Sequence, residues 1–186
     1  IGMVGLLSNV DQHCTQWFKE EGDIVILLGE NSDEIGGSEY LRVVHGKTLG
    51  RPPRLDLSKE KKVGETCLQA IRKGWVQSAH DCSEGGLAVA LAESCMTGPK
   101  QYGADLALGK SARPDALLFG EAQSRILITV REKHLQPLLK LARLKKCPVQ
   151  RLGVVTGDIL KIGHWVKTPV AALHESWKEG FLRCVA

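Results

Sequence analysis

Three short stretches combine residue types that handle charge and anions. The first is Ser78-Ala79-His80-Asp81-Cys82-Ser83-Glu84-Gly85-Gly86-Leu87. It reads as a strand running into Asp81, a Gly-Gly turn, and a helix start. The free N–H groups of a helix start, with glycines that put no side chain in the way, suit an anion or phosphate. Asp81 at the strand end is placed to hold a metal ion or a hydrogen-bond donor. The same pattern also describes a tight strand-to-helix connection, with Ser83 as cap and Asp81 as a local turn acceptor. The second stretch is Phe119-Gly120-Glu121-Ala122-Gln123-Ser124-Arg125, just before an apolar run. In an alternating strand Glu121, Gln123 and Arg125 share one face. A carboxylate, an amide and a guanidinium so placed could bind a polar small molecule. They could equally form an internal Glu121–Arg125 ion pair. The third stretch, Gly36-Gly37-Ser38, precedes a short helix and is either another anion seat or a loop with a capping serine.

Other candidates fail on spacing. Gly46-Lys47-Thr48 imitates the end of a phosphate-binding loop, but the glycine needed five residues upstream is Leu41, and no strand leads in. There is no G-x-G-x-x-G. His13-Cys14 and His80 with Cys82 lack metal-ligand spacing. Cys82 reads as an apolar filler beside a helix start rather than a nucleophile. The six histidines are scattered, and none is assigned a catalytic role.

The elements that must position these groups follow from periodicity and punctuation. Residues 2–7 and 24–28 read as strands, the second a continuous β-branched run and hence buried. A short helix is expected over 38–44 with Ser38 as N-cap, then a connector rich in Gly and Pro. Ser58 is the expected cap of the next helix, whose Val63, Cys67, Ala70 and Ile71 share a face and which Gly74 ends. Residues 76–80 read as a strand. Residues 86–96 leave almost no polar face, which predicts a helix buried on several sides. Strands are expected at 104–108, 125–130, 149–155 and 159–162. Leu135, Leu138, Leu139 and Ala142 give helical spacing, with Pro137 placed in the first turn. Thr168-Pro169 is read as the cap and first residue of a last helix. The interspersed pattern predicts an α/β (α+β) fold: one mixed sheet with helices packed on it in layers, as a single domain over residues 1–186.

Composition limits the function classes. A length of 186 residues suffices for one hydrophobic core, and 43% hydrophobic with 25% charged residues excludes disorder for the bulk of the chain. No apolar run approaches the ~18–20 residues of a membrane span. A net charge of +4 with 5% aromatics, not interleaved with arginine, argues against nucleic-acid binding. Lys140, Arg143, Lys145 and Lys146 read as the solvated face of a helix. Six cysteines without a C-x-x-C pair indicate free thiols and a reducing, cytoplasmic setting. The start at Ile1, with no signal-peptide pattern, reads as a piece of a longer chain.

Taken in order, Ile24-Val25-Ile26-Leu27-Leu28-Gly29, Gly36-Gly37-Ser38-Glu39-Tyr40, the run from Ser78 to Ala88, Leu118-Phe119-Gly120-Glu121-Ala122-Gln123-Ser124-Arg125 and Leu152-Gly153-Val154-Val155-Thr156-Gly157 resemble the phosphoribosylformylglycinamidine synthases. The closer likeness is to their C-terminal domain, which is itself like that of aminoimidazole ribonucleotide synthase, over nearly the whole chain. The resemblance implies a part in converting formylglycinamide ribonucleotide to the amidine with ATP, Mg²⁺ and glutamine-derived ammonia. It implies that ATP is held mostly by separate N-terminal domains, that a glutaminase subunit or domain is a partner, and that neither nucleic acid nor membrane is. Alone, this piece is expected to be inactive. Asp81 matches the Asp that the family gives to Mg²⁺. Glu121 and Gln123 match two of a Glu-Ser-Gln triplet that meets the ribonucleotide, and Gly85, Gly86 and Arg125 complete the expected substrate-binding set. Ala122 replaces the usual Ser, Glu84 a common Asp, and Gly120 a common Ser. The family carries its domain pair twice, and Ser78-Ala79-His80-Asp81 is more like the second copy, whose cleft is an auxiliary nucleotide site. The rival readings are another member of the superfamily, such as aminoimidazole ribonucleotide synthase, selenophosphate synthetase or thiamine-phosphate kinase, and a purely structural assembly domain.

Overall fold

Five consecutive apolar residues, Ile24–Leu28, form strand β1, and all five are buried. The run is continuous, not alternating, because both faces of this strand are covered. Val25 and Leu27 enter one core, and Ile24, Ile26 and Leu28 the other. The computed structural model describes residues 2, 4–109 and 113–185, with side chains described through residue 180.

Along the chain, β1 is followed by helix α1 (Glu39–His45), α2 (Leu57–Arg72), β2 (Val76–Asp81), α3 (Gly86–Met96), β3 (Ala104–Leu106), α4 (Pro114–Phe119), β4 (Ile126–Val130), α5 (Glu132–Lys145), β5 (Val149–Val155), β6 (Ile159–Ile162), β7 (Val166–Pro169) and α6 (Val170–Val185). The strands form one mixed sheet in the order β2-β4-β1-β5-β3-β6-β7. Only the β3–β6 pair is parallel. Strand β1 lies between β4 and β5, with Ile24 opposite Val130 and Leu28 opposite Ile126.

Helices cover both faces. Val63, Cys67 and Ala70 of α2 and Leu135, Leu138 and Ala142 of α5 pack on one side. On the other, α3 lies against α4 and α6, so it is enclosed by sheet and helices together. That accounts for its lack of a polar face. Among the described residues, no helix is long and apolar enough to cross a membrane.

Several local expectations are corrected. Residues 4–7 form no strand and lie exposed, with no neighbouring strand to pair them, while Met3 lies outside the described residues. Asp56, not Ser58, caps α2, accepting from the N–H groups of Ser58 and Lys59 at 2.9 and 3.0 Å. Residues 120–125 are a loop rather than an extended strand, and β3 stops at Leu106. Pro137 lies inside α5, beyond the first turn. Pro169 ends the edge strand β7, and α6 starts after it. An edge strand tolerates proline because no neighbour needs its N–H.

Candidate functional site

Strand β2 delivers Asp81 to the sheet end, where its side chain is 74% exposed. Ser83 donates its hydroxyl to Asp81 Oδ2 and caps nothing in α3. That hydrogen bond, helped by the adjacent His80 ring, holds the Asp81 carboxyl below the usual carboxylate range. His80 is fixed in turn: its Nε2 lies 2.6 Å from Glu93 Oε2 of α3, and its Nδ1 lies 3.5 Å from Asp81 Oδ1. Burial pushes the Cys82 thiol up to about 11, so it remains protonated, as expected of an apolar filler.

Both suspected anion seats have an internal occupant. Glu121 Oε1 accepts from the backbone N–H of Gly85, at the start of α3, and from that of Glu39, at the start of α1, each at 2.8 Å. One carboxylate thus answers the positive ends of two helices. Close packing makes this arrangement possible. Gly86 has φ +67°, and a Cβ there would come within 2.5 Å of the Gly120 carbonyl oxygen. Ser38 caps α1 as expected, accepting from Leu41 N–H at 3.4 Å and donating to the Ile35 carbonyl at 2.7 Å.

Arg125 is 3% exposed and holds the loop rather than Glu121. Its guanidinium donates to the carbonyls of Gly120 and Ala122 and, at 3.1 Å, to Asn31 Oδ1. Burial works against its charge and lowers its pKa from the ordinary guanidinium value. Ser124 takes a left-handed backbone at φ +62° and donates its hydroxyl to Glu60 Oε2 at 2.7 Å. Its carbonyl lies against Gly29, where a Cβ would come within 2.1 Å of that oxygen.

A cavity of about 400 Å³ brings Asp81, Glu121, Gln123 and Arg125 together, with Ser83, Ser124 and Glu60. Gly85 and Gly86 do not line it: the Gly85 N–H goes to Glu121, and the Gly86 N–H to the Ser83 carbonyl. Glu60 is the residue that sequence reasoning missed. It sits in the first turn of α2, where an acid is ordinary, and only the tertiary approach of Ser124 sets it apart. The cleft carries three carboxylates against one guanidinium. A bare anion is therefore disfavoured, whereas an anion that brings its own cation is not. Among the described residues no group of three or more His, Cys, Asp or Glu could hold a metal ion. Asp81 fits the narrower role of a single, ionised ligand. Mg²⁺ bound to a phosphate substrate commonly takes only one or two carboxylates from protein.

Residues 20–164 match the family model described as AIR synthase related protein, C-terminal domain. The chain belongs to this family. Among curated relatives, the phosphoribosylformylglycinamidine synthase subunit PurL of Anaeromyxobacter sp. (strain Fw109-5) is 48% identical across 97% of this chain and 24% of that protein. The subunit of the same name from Caldanaerobacter subterraneus subsp. tengcongensis is 46% identical across 96% of this chain and 25% of its own length. The chain therefore spans about a quarter of the relatives it matches. Its fold is similar to that of T. maritima PurL complexed with FGAR, with a TM-score of 0.74 at 20% identity over 89% of this chain and 30% of that one. Membership in the AIR synthase related family agrees with the mixed, helix-covered sheet described above.

Proposed function

We propose that this chain is one domain, over residues 1–186, of a larger ATP-dependent synthetase. That enzyme forms formylglycinamidine ribonucleotide from formylglycinamide ribonucleotide, ATP and ammonia supplied by a glutaminase partner. The observation that carries the reading is the 48% identity over 97% of the chain to a phosphoribosylformylglycinamidine synthase subunit. The geometry supports it. The acidic cleft suits a nucleotide or phosphorylated ligand that arrives with its cation. The stretch 43–57, from α1 to the start of α2, is a flank of exposed apolar residues, Val43, Val44, Leu49, Leu55 and Leu57, of which Leu55 lines the cleft. Such a flank suits the ATP-binding domains that would complete the cleft.

In this reading Asp81 supplies one ligand to Mg²⁺, and the metal, when bound, neutralises phosphate charge. Gln123, exposed on the loop, offers an amide to the ribonucleotide. Glu121 sets the loop by holding two helix starts, and Arg125 sets it by holding its carbonyls. Because Glu121 Oε1 is already engaged by two N–H groups, the auxiliary nucleotide cleft is a second reading.

The test is a chimera in which this chain replaces the matching quarter of the Anaeromyxobacter subunit. The chimera is expected to make the amidine with ATP and ammonia, whereas the isolated chain makes none. Activity of the isolated chain, or a folded chimera that binds ATP yet makes no product, would sink the proposal. In an active chimera, Asp81→Asn separates the two readings. A fall in kcat/KM of about 100-fold marks a reaction cleft. Unchanged kinetics with weakened retention of a second nucleotide mark an auxiliary one.

A further inference from the structure

The outer face of the α2/α5 layer carries a groove of about 770 Å³ that plays no part in the cleft. Trp75, at the entry to β2, lines it, whereas Asp81 ends that strand. At the rise of an extended chain the two lie about 20 Å apart. The groove is amphipathic along its length. Leu141 and Leu144 present an apolar row on α5, joined by Trp75. Beside it runs a basic row, Lys140 and Arg143, with Lys73 across the groove. Lys73 Nζ stands 5.2 Å from the centre of the Trp75 ring. No Asp or Glu lines the groove.

The charges are not answered from within. Lys145, on the same helix, pairs with Glu65 of α2 at 3.0 Å. Lys140 and Arg143 make no ion pair among the described residues. Leu144 is 74% exposed, although it lies in the middle of this basic field. A solvated helix face needs cations but not an apolar row ending in leucine. A hydrophobic interface needs the apolar row but not three uncompensated cations. A partner that supplies both complements satisfies the two rows together.

We propose that this groove docks an acidic amphipathic helix from another polypeptide or domain. Its apolar side covers Trp75, Leu141 and Leu144, and its flanking carboxylates meet Lys73, Lys140 and Arg143. The stretch from Pro137 to Leu144 is about 11 Å long, or two helical turns. The occupant therefore needs apolar anchors at i and i+3 or i+4, flanked by Asp or Glu.

The probe is a fluorescein-labelled helical peptide of about five turns, with leucines at that spacing and glutamates elsewhere. Its control has lysine in place of every glutamate. Fluorescence anisotropy of the 186-residue chain at two salt concentrations is expected to show salt-sensitive binding of the acidic peptide only. Lys140→Glu with Arg143→Glu, and separately Leu144→Ser, should each weaken it by about tenfold or more. All of these positions are exposed, so melting curves should stay unchanged. The proposal is overturned by equal binding of the lysine peptide, by no binding of the acidic one, or by indifference to the charge reversals. It is also overturned if Leu144→Ser abolishes a concentration-dependent dimer of this chain, or if the groove prefers duplex DNA or anionic vesicles. None of these outcomes depends on the synthetase reading, so the two can fail separately.

Discussion

Glu121 is the most heavily engaged side chain of the site, and its partners set its prediction. It is the acceptor for two backbone N–H groups that no other described residue answers. Replacement by alanine leaves both donors unpaired at helix starts. The expected loss is about 2 kcal/mol, or roughly 4–8 °C of melting temperature. Glu121→Gln keeps a carbonyl acceptor at the same reach and should recover more than half of that loss. Thermal melts of the three proteins check it, and equal losses in both variants would show that the charge alone matters. Asp23 gives a second prediction. Nearly fully buried at the start of β1, it leaves Oδ2 without a partner, and burial with Glu20 nearby raises its pKa from 3.8 to about 6. The folded state thus favours the protonated acid. Stability from this group is greatest below about pH 4 and is lost as pH rises through about 6. Asp23→Asn should therefore stabilise the chain at pH 7–8 by on the order of 1–3 kcal/mol, with the gain shrinking toward pH 4. Urea titrations at the two pH values measure it. A gain that does not depend on pH would assign the effect to packing rather than to charge.

At the scale of elements, the loop 120–125 is held in place by its neighbours rather than by its own sequence. Gly29 (φ +99°) ends β1 with no side chain, and the Ser124 carbonyl fills the space. Gly29→Ala should cost more than about 2 kcal/mol, because it adds both a clash with backbone and a disfavoured φ. In an active chimera it should also displace Gln123 and raise the KM for the ribonucleotide. The same loop shows what the sequence could and could not reveal. Its alternation of Glu121, Gln123 and Arg125 imitates a strand, and nothing local signals the left-handed Ser124 or the turn of Arg125 back onto Gly120. By contrast β1, β2 and α3 were legible, since a buried β-branched run, a strand ending in Asp-Cys-Ser, and an all-apolar helix after Gly-Gly are local signals. Helix α4 was not, being only six residues long and buried by contact with α3. Strand β7 was not either, because a terminal proline reads equally as the first residue of a helix. The residues of the cleft were thus found by type. Their roles depended on contacts between positions 82 and 36 apart in sequence, those from Glu121 to Glu39 and to Gly85, which no local pattern carries.

Between α1 and the start of α2 the fold leaves an apolar flank unburied. Val43, Val44, Leu49, Leu55 and Leu57 are each more than half exposed, and Leu55 lines the acidic cleft. If other domains of a synthetase complete that cleft, the same two substitutions should act with opposite sign in two settings. In the isolated chain, Val44→Ser with Leu57→Ser removes exposed apolar surface. Each change should move stability by no more than about 0.5 kcal/mol, while self-association in sedimentation experiments decreases. In the chimeric synthase the same pair removes buried surface at a domain contact. Losing a buried valine and leucine there is expected to cost on the order of 3 kcal/mol, seen as a lower melting temperature for the whole enzyme and a loss of ATP-dependent product formation. Neutral behaviour of the serine pair in the active chimera would mean that this flank faces solvent there, and that the second wall of the cleft is built against some other surface of the domain.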